Sequence, residues 1–430
     1  MAKLLKFPKG FYWGASTSSH QVEGGNKNDW SIWEKENAGR LANGARVYWQ
    51  LWRRKSEFLP QAMDPANYIS GKATDHYGRF REDFDIAKAL GHNAHRLSIE
   101  WSRVEPSEGK FDDEEIEHYR TVISELKARG IEPFVTLFHF TLPIWVRSKG
   151  GWASRQTARD FAKYAERVVS ELSPGVKYWI TLNEPTLYSL VSNLGFGPWM
   201  EWPYVGGGYR GWFRMSSNLV AGHKGAHHAI KALNKSHQVG IAQSIVYFDA
   251  FGINPLSRLV VRSARRFYNH RFLKKIRKYQ DFVGINYFTH NRIRFGLENP
   301  RRWFNHNENK EVSDLGWELY PEGIYKAVKE VSIYRKPIYI TENGIADTRD
   351  LKRAKFIKDN LEWLHRAISD GADVRGYFHW SLLDNFEWGD GFWPKFGLVE
   401  IDYKNGLKRK VRQSAKEYAK IIKTNAVDAS

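Results

Sequence analysis

The stretch YWITLNEP, residues 178–185, places a carboxylate at the end of a run of apolar, aromatic and β-branched residues. Such a run is typical of a strand that is buried on both faces of a sheet. Pro185 ends the strand, because proline has no N–H to donate to a neighbouring strand. Glu184 is therefore expected at the mouth of a buried strand, where a carboxylate is costly unless hydrogen bonds or a partner charge compensate it.

A second stretch, PIYITENGI at residues 337–345, repeats this layout with Glu342 directly after its apolar run. A single glutamate at a strand end is most often a solvated surface group or a helix cap. Two glutamates in nearly the same frame favour one shared site. Paired carboxylates across a cleft are what cleavage of a glycosidic bond requires.

The fold class follows from an alternation of strand-like and helix-like segments. Strand-like runs occupy residues 11–16, 94–101, 132–140, 178–185, 239–249, 281–288, 337–341 and 374–381. Segments with helical periodicity lie between them, at 112–129, 155–172, 215–234, 323–334 and 350–370. Eight strands that alternate with helices predict an α/β fold, a (β/α)8 TIM barrel. No linker divides the chain, so residues 1–430 are predicted to form one domain.

Long βα loops are expected, because a plain barrel needs about 250 residues and about 180 remain. The longest excursions are predicted at 23–75, 193–213 and 287–317. The segment 195–213, GFGPWMEWPYVGGGYRGWF, holds three tryptophans among few charges. It fits either a rim for the leaving group of a substrate or a loop folded on its own small core.

Composition excludes several classes of protein. The absence of cysteine excludes disulfides, thiolate nucleophiles and cysteine metal sites. With only 4 methionines the chain avoids oxidisable residues, which favours a thermophilic source. No apolar run reaches the roughly 20 residues that span a bilayer, and the N-terminus lacks a secretory apolar region, so a cytoplasmic location is expected. Neither a cofactor nor a metal is predicted.

A net charge of +18 is partly concentrated in residues 258–278, which hold nine Lys or Arg and no acid among interspersed apolar residues. A basic amphipathic helix of this kind can lie on a membrane surface or contact phosphates. The alternative is a solvated helix packed on the barrel. We predict no nucleic-acid partner, and oligomerisation stays open.

Polar and aromatic residues collect at the carboxyl ends of the predicted strands, where a barrel builds its active site. They are Gln21, Arg96, His139, Asn183, Glu184, Asn286, Glu342, Trp380, Glu387 and Trp388. Amides, a histidine, carboxylates and indole faces suit a polyhydroxylated ligand, which needs hydrogen bonds to hydroxyls and a flat apolar surface under a ring. They do not suit a phosphate.

With these motifs the sequence resembles glycoside hydrolase family 1, the β-glucosidase and β-galactosidase family. TLNEP at 181–185 is similar to the acid/base motif of the family, and ITENG at 340–344 to its nucleophile motif. Further similarities are FYWGASTSSHQVEGG at 11–25, HRLSIEWSR at 95–103 and HWSLLDNFEW at 379–388. The resemblance covers nearly the whole chain.

The resemblance implies that Glu342 is the nucleophile and that Glu184 is the general acid and then the base. It implies that the nonreducing-end sugar is bound by Gln21, His139, Asn183, Glu387 and Trp388, above Trp380 as a platform. Arg96 and Asn286 would support the nucleophile. The implied reaction is exo-acting hydrolysis of a terminal β-D-glucosyl residue, or of a galactosyl or fucosyl residue, through a covalent glycosyl-enzyme with retention, which requires carboxyl groups about 5 to 5.5 Å apart. The substrate would be a small oligosaccharide or an alkyl or aryl β-glycoside.

Two positions depart from the family pattern. Phe140 replaces a tryptophan, and Phe288 replaces the second tyrosine of an NYY motif, so each change removes a hydrogen-bond donor. Glu387 would repel a phosphate, so an unphosphorylated sugar is preferred. The alternatives are a noncatalytic sugar-binding or membrane-surface protein and a predominantly transglycosylating enzyme.

Overall fold

A computed structural model describes residues 4–52, 56–195, 202–203 and 205–429. Its centre is a closed barrel of parallel strands, each paired with the next barrel strand in the chain and the last paired with the first. In order they are Tyr12–Ser16, Ala94–Ser98, Glu132–Phe138, Tyr178–Asn183, Gln238–Ser244, Val283–Asn286, Ile338–Asn343 and Val374–Trp380. The predicted (β/α)8 barrel is confirmed, and each barrel strand overlaps one of the eight predicted runs.

Helices connect the barrel strands and cover the outside of the barrel. The described α-helices are Ser19–Val22, Asp29–Trp52, Leu59–Ala62, His76–Ala89, Trp101–Val104, Asp113–Ala128, Ile144–Ser148, Arg155–Leu172, Pro185–Leu194, Gly208–Leu233, Pro255–Ala264, Arg271–Ile276, Glu322–Val331, Arg353–Ser369 and Gln413–Thr424. Arg155–Leu172 shows why they form: Ser154 accepts a hydrogen bond from the backbone N–H of Gln156 and caps the helix. Phe161, Tyr164 and Val168, spaced three and four residues apart, are buried.

An aromatic layer fills one level of the barrel interior. Tyr12, Phe134, Tyr178, Tyr339 and Phe378 form one apolar cluster, in which the rings of Phe134 and Tyr178 stack at 4.2 Å. All of these residues lie in the first half or the middle of their strands, except Phe378 near the end of the eighth. The interior is thus a packed core, and polar side chains are carried by the strand ends beyond it.

Several boundaries differ from those predicted. The run 239–249 is two strands, because the barrel strand Gln238–Ser244 stops and Tyr247–Ala250 pairs outside the barrel with His290–Ile293. The excursion 23–75 is not mainly loop, since it contains the helix Asp29–Trp52. Part of 193–213 lies outside the described residues, and the helix after it begins at Gly208.

Short strands that the sequence did not predict complete the structure. Leu4–Lys6 pairs antiparallel with Ala426–Asp428, and Val399–Asp402 pairs antiparallel with Lys408–Val411. Among the helices of the described ranges, none combines the length and the apolar character needed to cross a membrane.

Candidate active site

Arg96, at the mouth of the barrel, connects its own strand to three others. Its guanidinium donates from Nη1 to Oε1 of Glu342, and from Nη2 to Oδ1 of Asn183 at 2.7 Å. Its Nε donates to Oγ1 of Thr136 at 3.1 Å. Since Arg96 is buried, this fork orients Glu342 and gives its carboxylate a direct counter-charge.

Asn286 connects Glu184 to Asn183. Its amide Nδ2 donates to Oε1 of Glu184 at 2.9 Å and to Oδ1 of Asn183 at 3.1 Å. Thr341 donates its hydroxyl to Oδ1 of Asn286 at 2.7 Å, which fixes the direction of the amide. The amide of Asn286 also offsets part of the rise that burial causes in the pKa of Glu342, while its two N–H groups donate to Glu184 and Asn183.

The electrostatics of the two carboxyl groups differ. Burial, and next the negative charge of Glu342, raise the pKa of Glu184 to about 8. Burial also raises the pKa of Glu342, but Arg96 opposes that rise by its charge and its hydrogen bond. The charge of Arg96 therefore acts on both buried acids, Glu184 and Glu342, but only Glu342 accepts a hydrogen bond from it. The pair is arranged to hold its charge on Glu342 and its proton on Glu184 at neutral pH.

The backbone turns sharply at Glu184. The fourth barrel strand, Tyr178–Asn183, ends one residue before it, and Pro185 begins the helix Pro185–Leu194. Glu184 has φ +42°, in the left-handed region that few non-glycine residues adopt, and its N–H donates to the carbonyl of Ala242 at 2.7 Å. Such strained conformations cluster at functional sites. The prediction that the strand ends before Pro185 is confirmed.

Gln21 and Glu387 lie side by side after the first and eighth strands. Gln21 donates from Nε2 to the carbonyl of Phe386 at 2.9 Å and to Oδ1 of Asn385 at 3.1 Å. Burial raises the pKa of Glu387 well above its ordinary value, helped by Asp390. Within the described ranges Oε1 of Gln21 is buried without a hydrogen-bond partner, and such an atom is a natural acceptor for a ligand hydroxyl.

His139 is held as a neutral ring. Its Nε2 lies 3.1 Å from Nδ2 of Asn183, which is a donor, so Nε2 accepts and Nδ1 carries the proton. Burial and the charge of Arg96 keep the pKa of His139 well below its usual range. The ring lies near-parallel to Trp380 and Trp388, with centroids 6.1 and 6.0 Å away. These rings provide both a donor and flat apolar surface.

The structure brings the predicted residues into one connected group. Contacts run from Arg96 to Glu342 and Asn183, from Asn183 to His139 and Asn286, and from Asn286 to Glu184. The ring of His139 continues the group to Trp380 and Trp388, and Glu387, next to Trp388 in the chain, accepts from Nε2 of Gln21 at 3.5 Å.

Other residues of the site were not singled out from the sequence. Thr136 accepts a hydrogen bond from Arg96 and thereby orients it, and Thr341 orients Asn286 by donating a hydrogen bond to it. Both threonines lie inside barrel strands next to charged strand ends, and this position was the sequence signal that could have indicated their role. Tyr268 donates its hydroxyl to Oγ of Ser244 at 3.1 Å, and burial and the charge of Glu184 raise its pKa. Tyr268 lies within the basic segment 258–278, whose sequence pattern indicates a charged surface and not a contact with the active site.

Phe140 and Phe288 are each packed among aromatic rings. Phe140, with φ +76°, lies 4.5 Å from the ring of Trp202 and 5.2 Å from that of Trp388. Phe288 lies 6.0 Å from the ring of Trp317. Trp202 thus connects the described part of the 195–213 loop to the indole of Trp388, at 6.2 Å, which fits the rim interpretation of that loop.

Fold and site together define a (β/α)8 barrel enzyme of the carbohydrate-cleaving class. The sequence model of glycosyl hydrolase family 1 matches residues 4–272 and 254–427. The chain is 33% identical to a 1,4-beta-D-glucan glucohydrolase from Thermotoga neapolitana, over 99% of this chain and 100% of that protein. It is also 33% identical to beta-glucosidase A from Thermotoga maritima, over 99% of each chain.

Solved structures give the same result. A beta-glycosidase from Pyrococcus horikoshii superposes with a TM-score of 0.85 at 36% identity, covering 99% of this chain and 97% of that one. The beta-glucosidase from Thermotoga maritima in complex with castanospermine has a TM-score of 0.83 at 30% identity, over 99% and 100% of the two chains. This chain belongs to glycosyl hydrolase family 1.

Proposed function

We propose that this protein is a retaining, exo-acting β-glycosidase in which Glu342 is the nucleophile and Glu184 the general acid and base. The observation that carries the proposal is the asymmetric carboxylate pair: Arg96 donates directly to Glu342, whereas Glu184 accepts from the neutral amide of Asn286. A nucleophile must be ionised and an acid protonated at the same pH, and this arrangement supports both states.

In the first step, Glu342 attacks the anomeric carbon while Glu184 gives its proton to the departing glycosidic oxygen. A covalent glycosyl ester of Glu342 forms, and the aglycone leaves as an alcohol. Formation of the ester removes the negative charge of Glu342, which is one of the causes that raise the pKa of Glu184. Glu184 therefore becomes a stronger acid and remains ionised.

In the second step, ionised Glu184 takes a proton from water, and that water attacks the anomeric carbon and releases Glu342. Two displacements on the same carbon leave the product with the configuration of the substrate. If a hydroxyl group of a second sugar attacks in place of water, the same site gives transglycosylation.

The substrate is proposed to be an unphosphorylated β-glycoside, with β-D-glucosides first. The buried carboxyl of Glu387 beside Gln21 supports hydrogen bonding to hydroxyls, and neither side chain supplies the positive charge that a phosphate would need. The relatives support the choice of sugar, since those at 33% identity carry glucohydrolase and beta-glucosidase names. Galactosides come second, because a relative from Pyrococcus woesei at 27% identity is called a beta-galactosidase.

The test is hydrolysis of a panel of nitrophenyl β-glycosides, followed by proton NMR of the first-formed anomer. We expect release of the β-anomer before mutarotation, with the glucoside or galactoside preferred and the 6-phosphoglucoside poor. First formation of the α-anomer would contradict the retaining mechanism, and preference for the 6-phosphoglucoside would contradict the sugar assignment.

A further inference from the structure

Outside the active site, an exposed apolar stripe runs along the helical segment 255–276. This segment comprises Pro255–Ala264, the π-helical turn Arg265–His270 and Arg271–Ile276. Leu256, Leu259 and Phe267 are 49%, 58% and 42% exposed, while Val261 on the opposite side of the helix is buried. Because the exposed positions fall on one side at helical spacing, they form a stripe that faces solvent.

The stripe continues onto the neighbouring loops. Ile253, 87% exposed, directly precedes the helix. Leu297 is fully exposed, and its loop is tied to the helix because the N–H of Phe295 donates to Oγ of Ser257 at 2.9 Å. Large apolar side chains that are exposed singly are ordinary, whereas several on adjoining elements mark an interaction surface.

Arginines border the stripe. Arg258, Arg262 and Arg266 recur every fourth residue and are exposed. Within the described part of the chain, none of the three has a carboxylate at ion-pair distance. Arg265, by contrast, contacts Glu330 at 2.8 Å, and Arg271 lies over the ring of Phe213 at 4.5 Å. The three outer arginines are therefore free to meet an external anion, while their neighbours hold the helix to the barrel.

We propose that the apolar stripe and its bordering arginines form a docking face that binds the surface of an anionic lipid membrane. It is formed by Ile253, Leu256, Leu259, Phe267 and Leu297 together with Arg258, Arg262 and Arg266. The aliphatic side chains would enter the boundary between headgroups and acyl chains, and the guanidinium groups would contact lipid phosphates.

Charge and side-chain chemistry select lipid over two other occupants. A symmetric contact between two copies would bring one basic edge against another, because residues 258–278 carry nine basic residues and no acid. Single-stranded nucleic acid is bound by aromatic platforms, whereas this face exposes mainly leucine and isoleucine. Leucine and isoleucine beside arginine suit a surface that is anionic outside and hydrocarbon beneath.

The experiment is sedimentation of the full chain with vesicles of phosphatidylcholine alone or with phosphatidylglycerol at 7:3. We expect pelleting with the anionic vesicles only, and weaker pelleting as salt is raised. The triple variant R258Q/R262Q/R266Q should lower the partition coefficient on the order of 100-fold. L256S/L259S should lower it as well, with the charge unchanged.

The matched control is K416Q/K420Q/K423Q, which removes the same charge from exposed lysines of Gln413–Thr424. It should bind anionic vesicles like the unaltered protein. All variants should keep their activity on a soluble nitrophenyl glycoside, which shows that they fold and separates this test from that of the catalytic proposal.

Three results would overturn the proposal. The first is no pelleting with anionic vesicles at low salt, and the second is equal loss in the lysine control, which would indicate net charge alone. The third is a dimer in sedimentation velocity, or an oligonucleotide complex by anisotropy, that R258Q/R262Q/R266Q abolishes while vesicle binding persists. That result would assign the face to a second copy or to nucleic acid.

Discussion

Two buried ion pairs of this molecule, Arg96 with Glu342 and Arg412 with Asp384, differ in how completely the arginine compensates the burial of the carboxylate. Asp384 accepts from both terminal nitrogens of Arg412, at 2.7 and 2.9 Å, and from the N–H of Gly397 at 2.9 Å. The charge and hydrogen bond of Arg412 outweigh burial and lower its pKa. Glu342 has an arginine too, yet its pKa is raised, and a second buried glutamate stands beside it.

The degree of compensation distinguishes an ion pair that stabilises the fold from one that can take part in proton transfer. Full compensation makes a buried carboxylate a permanent anion, which stabilises a fold and cannot exchange protons near neutral pH. Partial compensation leaves a group that can gain and lose a proton during turnover. The HWSLLDNFEW segment contains both kinds, since Asp384 is fully paired and Glu387 is buried with a raised pKa.

The largest expected effect is that of Glu342→Ala, which removes the proposed nucleophile. Turnover should fall by at least about 10⁴-fold. Added azide or formate should restore part of it with nitrophenyl glycosides, because a small anion can occupy the space of the carboxylate. The measurement is the initial rate with and without the anion, and Glu417→Ala on the surface is the control. Near-normal activity without added anion would refute the assignment.

Asp384→Asn should act on stability instead. An amide cannot accept both guanidinium bonds, so Arg412 is left with uncompensated charge, and the free energy of unfolding should fall by about 3–5 kcal/mol. Urea denaturation at pH 7 measures this, while the rate per folded molecule should stay near that of the unaltered protein. If the variant does not fold, Arg412→Lys tests the same pair more mildly. Unchanged stability in both variants would show that the pair is not structural.

Glu184→Ala should discriminate between leaving groups. Substrates whose leaving group needs a proton should lose about 10²–10³-fold, whereas activated aryl glycosides should lose far less in the first step. The comparison is kcat/KM for an alkyl glucoside and for a dinitrophenyl glucoside. Equal losses on both substrates would contradict the role of Glu184 as the acid.

The pH dependence of stability should have opposite signs at the two pairs. The pKa of Glu184 is raised from 4.5 to about 8, so its contribution is fully present below pH 4.5 and is lost as the pH rises through about 8. Glu184→Gln should therefore gain stability relative to the unaltered protein across this window, by roughly 1–3 kcal/mol because Glu342 shares the titration. Thermal melting from pH 4 to pH 9 measures it.

The lowered pKa of Asp384 gives the reverse: its contribution is present above its unfolded pKa of 3.8 and is lost as the pH falls through the folded value. A difference in stability between Glu184→Gln and the unaltered protein that stays constant from pH 4 to pH 9 would mean that the proton of the pair is not on Glu184.

The kcat/KM of the unaltered protein should also fall above about pH 8, where the acid loses its proton.

Much of the fold could be predicted because its signals are local. Apolar runs such as 178–185 and polar residues at their ends mark barrel strands without knowledge of any contact. The break after Ser244 could not be predicted, because Val246 and Phe248 continue the apolar pattern and only pairing with His290–Ile293 separates the second strand. That the whole chain forms one domain stays a prediction.

The site was predictable in its residue types and not in its connections. The two glutamates were evident, but the hydrogen bonds of the Asn286 amide and of the Arg96 guanidinium depend on distances between strands far apart in sequence. Tyr268 was missed because a π-helical turn aims it at Ser244, and nothing in the local pattern indicates that turn. The catalytic roles and those of Phe140 and Phe288 remain predictions.

The antiparallel pairing of Leu4–Lys6 with Ala426–Asp428 makes the described chain almost a ring. Asn425 reinforces this closure, accepting from Nε1 of Trp13 at 2.8 Å and donating to the carbonyl of Phe7 at 2.8 Å. Residues 4–6 and 426–428 are therefore neighbours, and a short peptide could join the two segments while new termini are opened in a surface loop. Circular permutants should thus retain the barrel, and a fusion partner could be attached beside the first strand, away from the catalytic mouth.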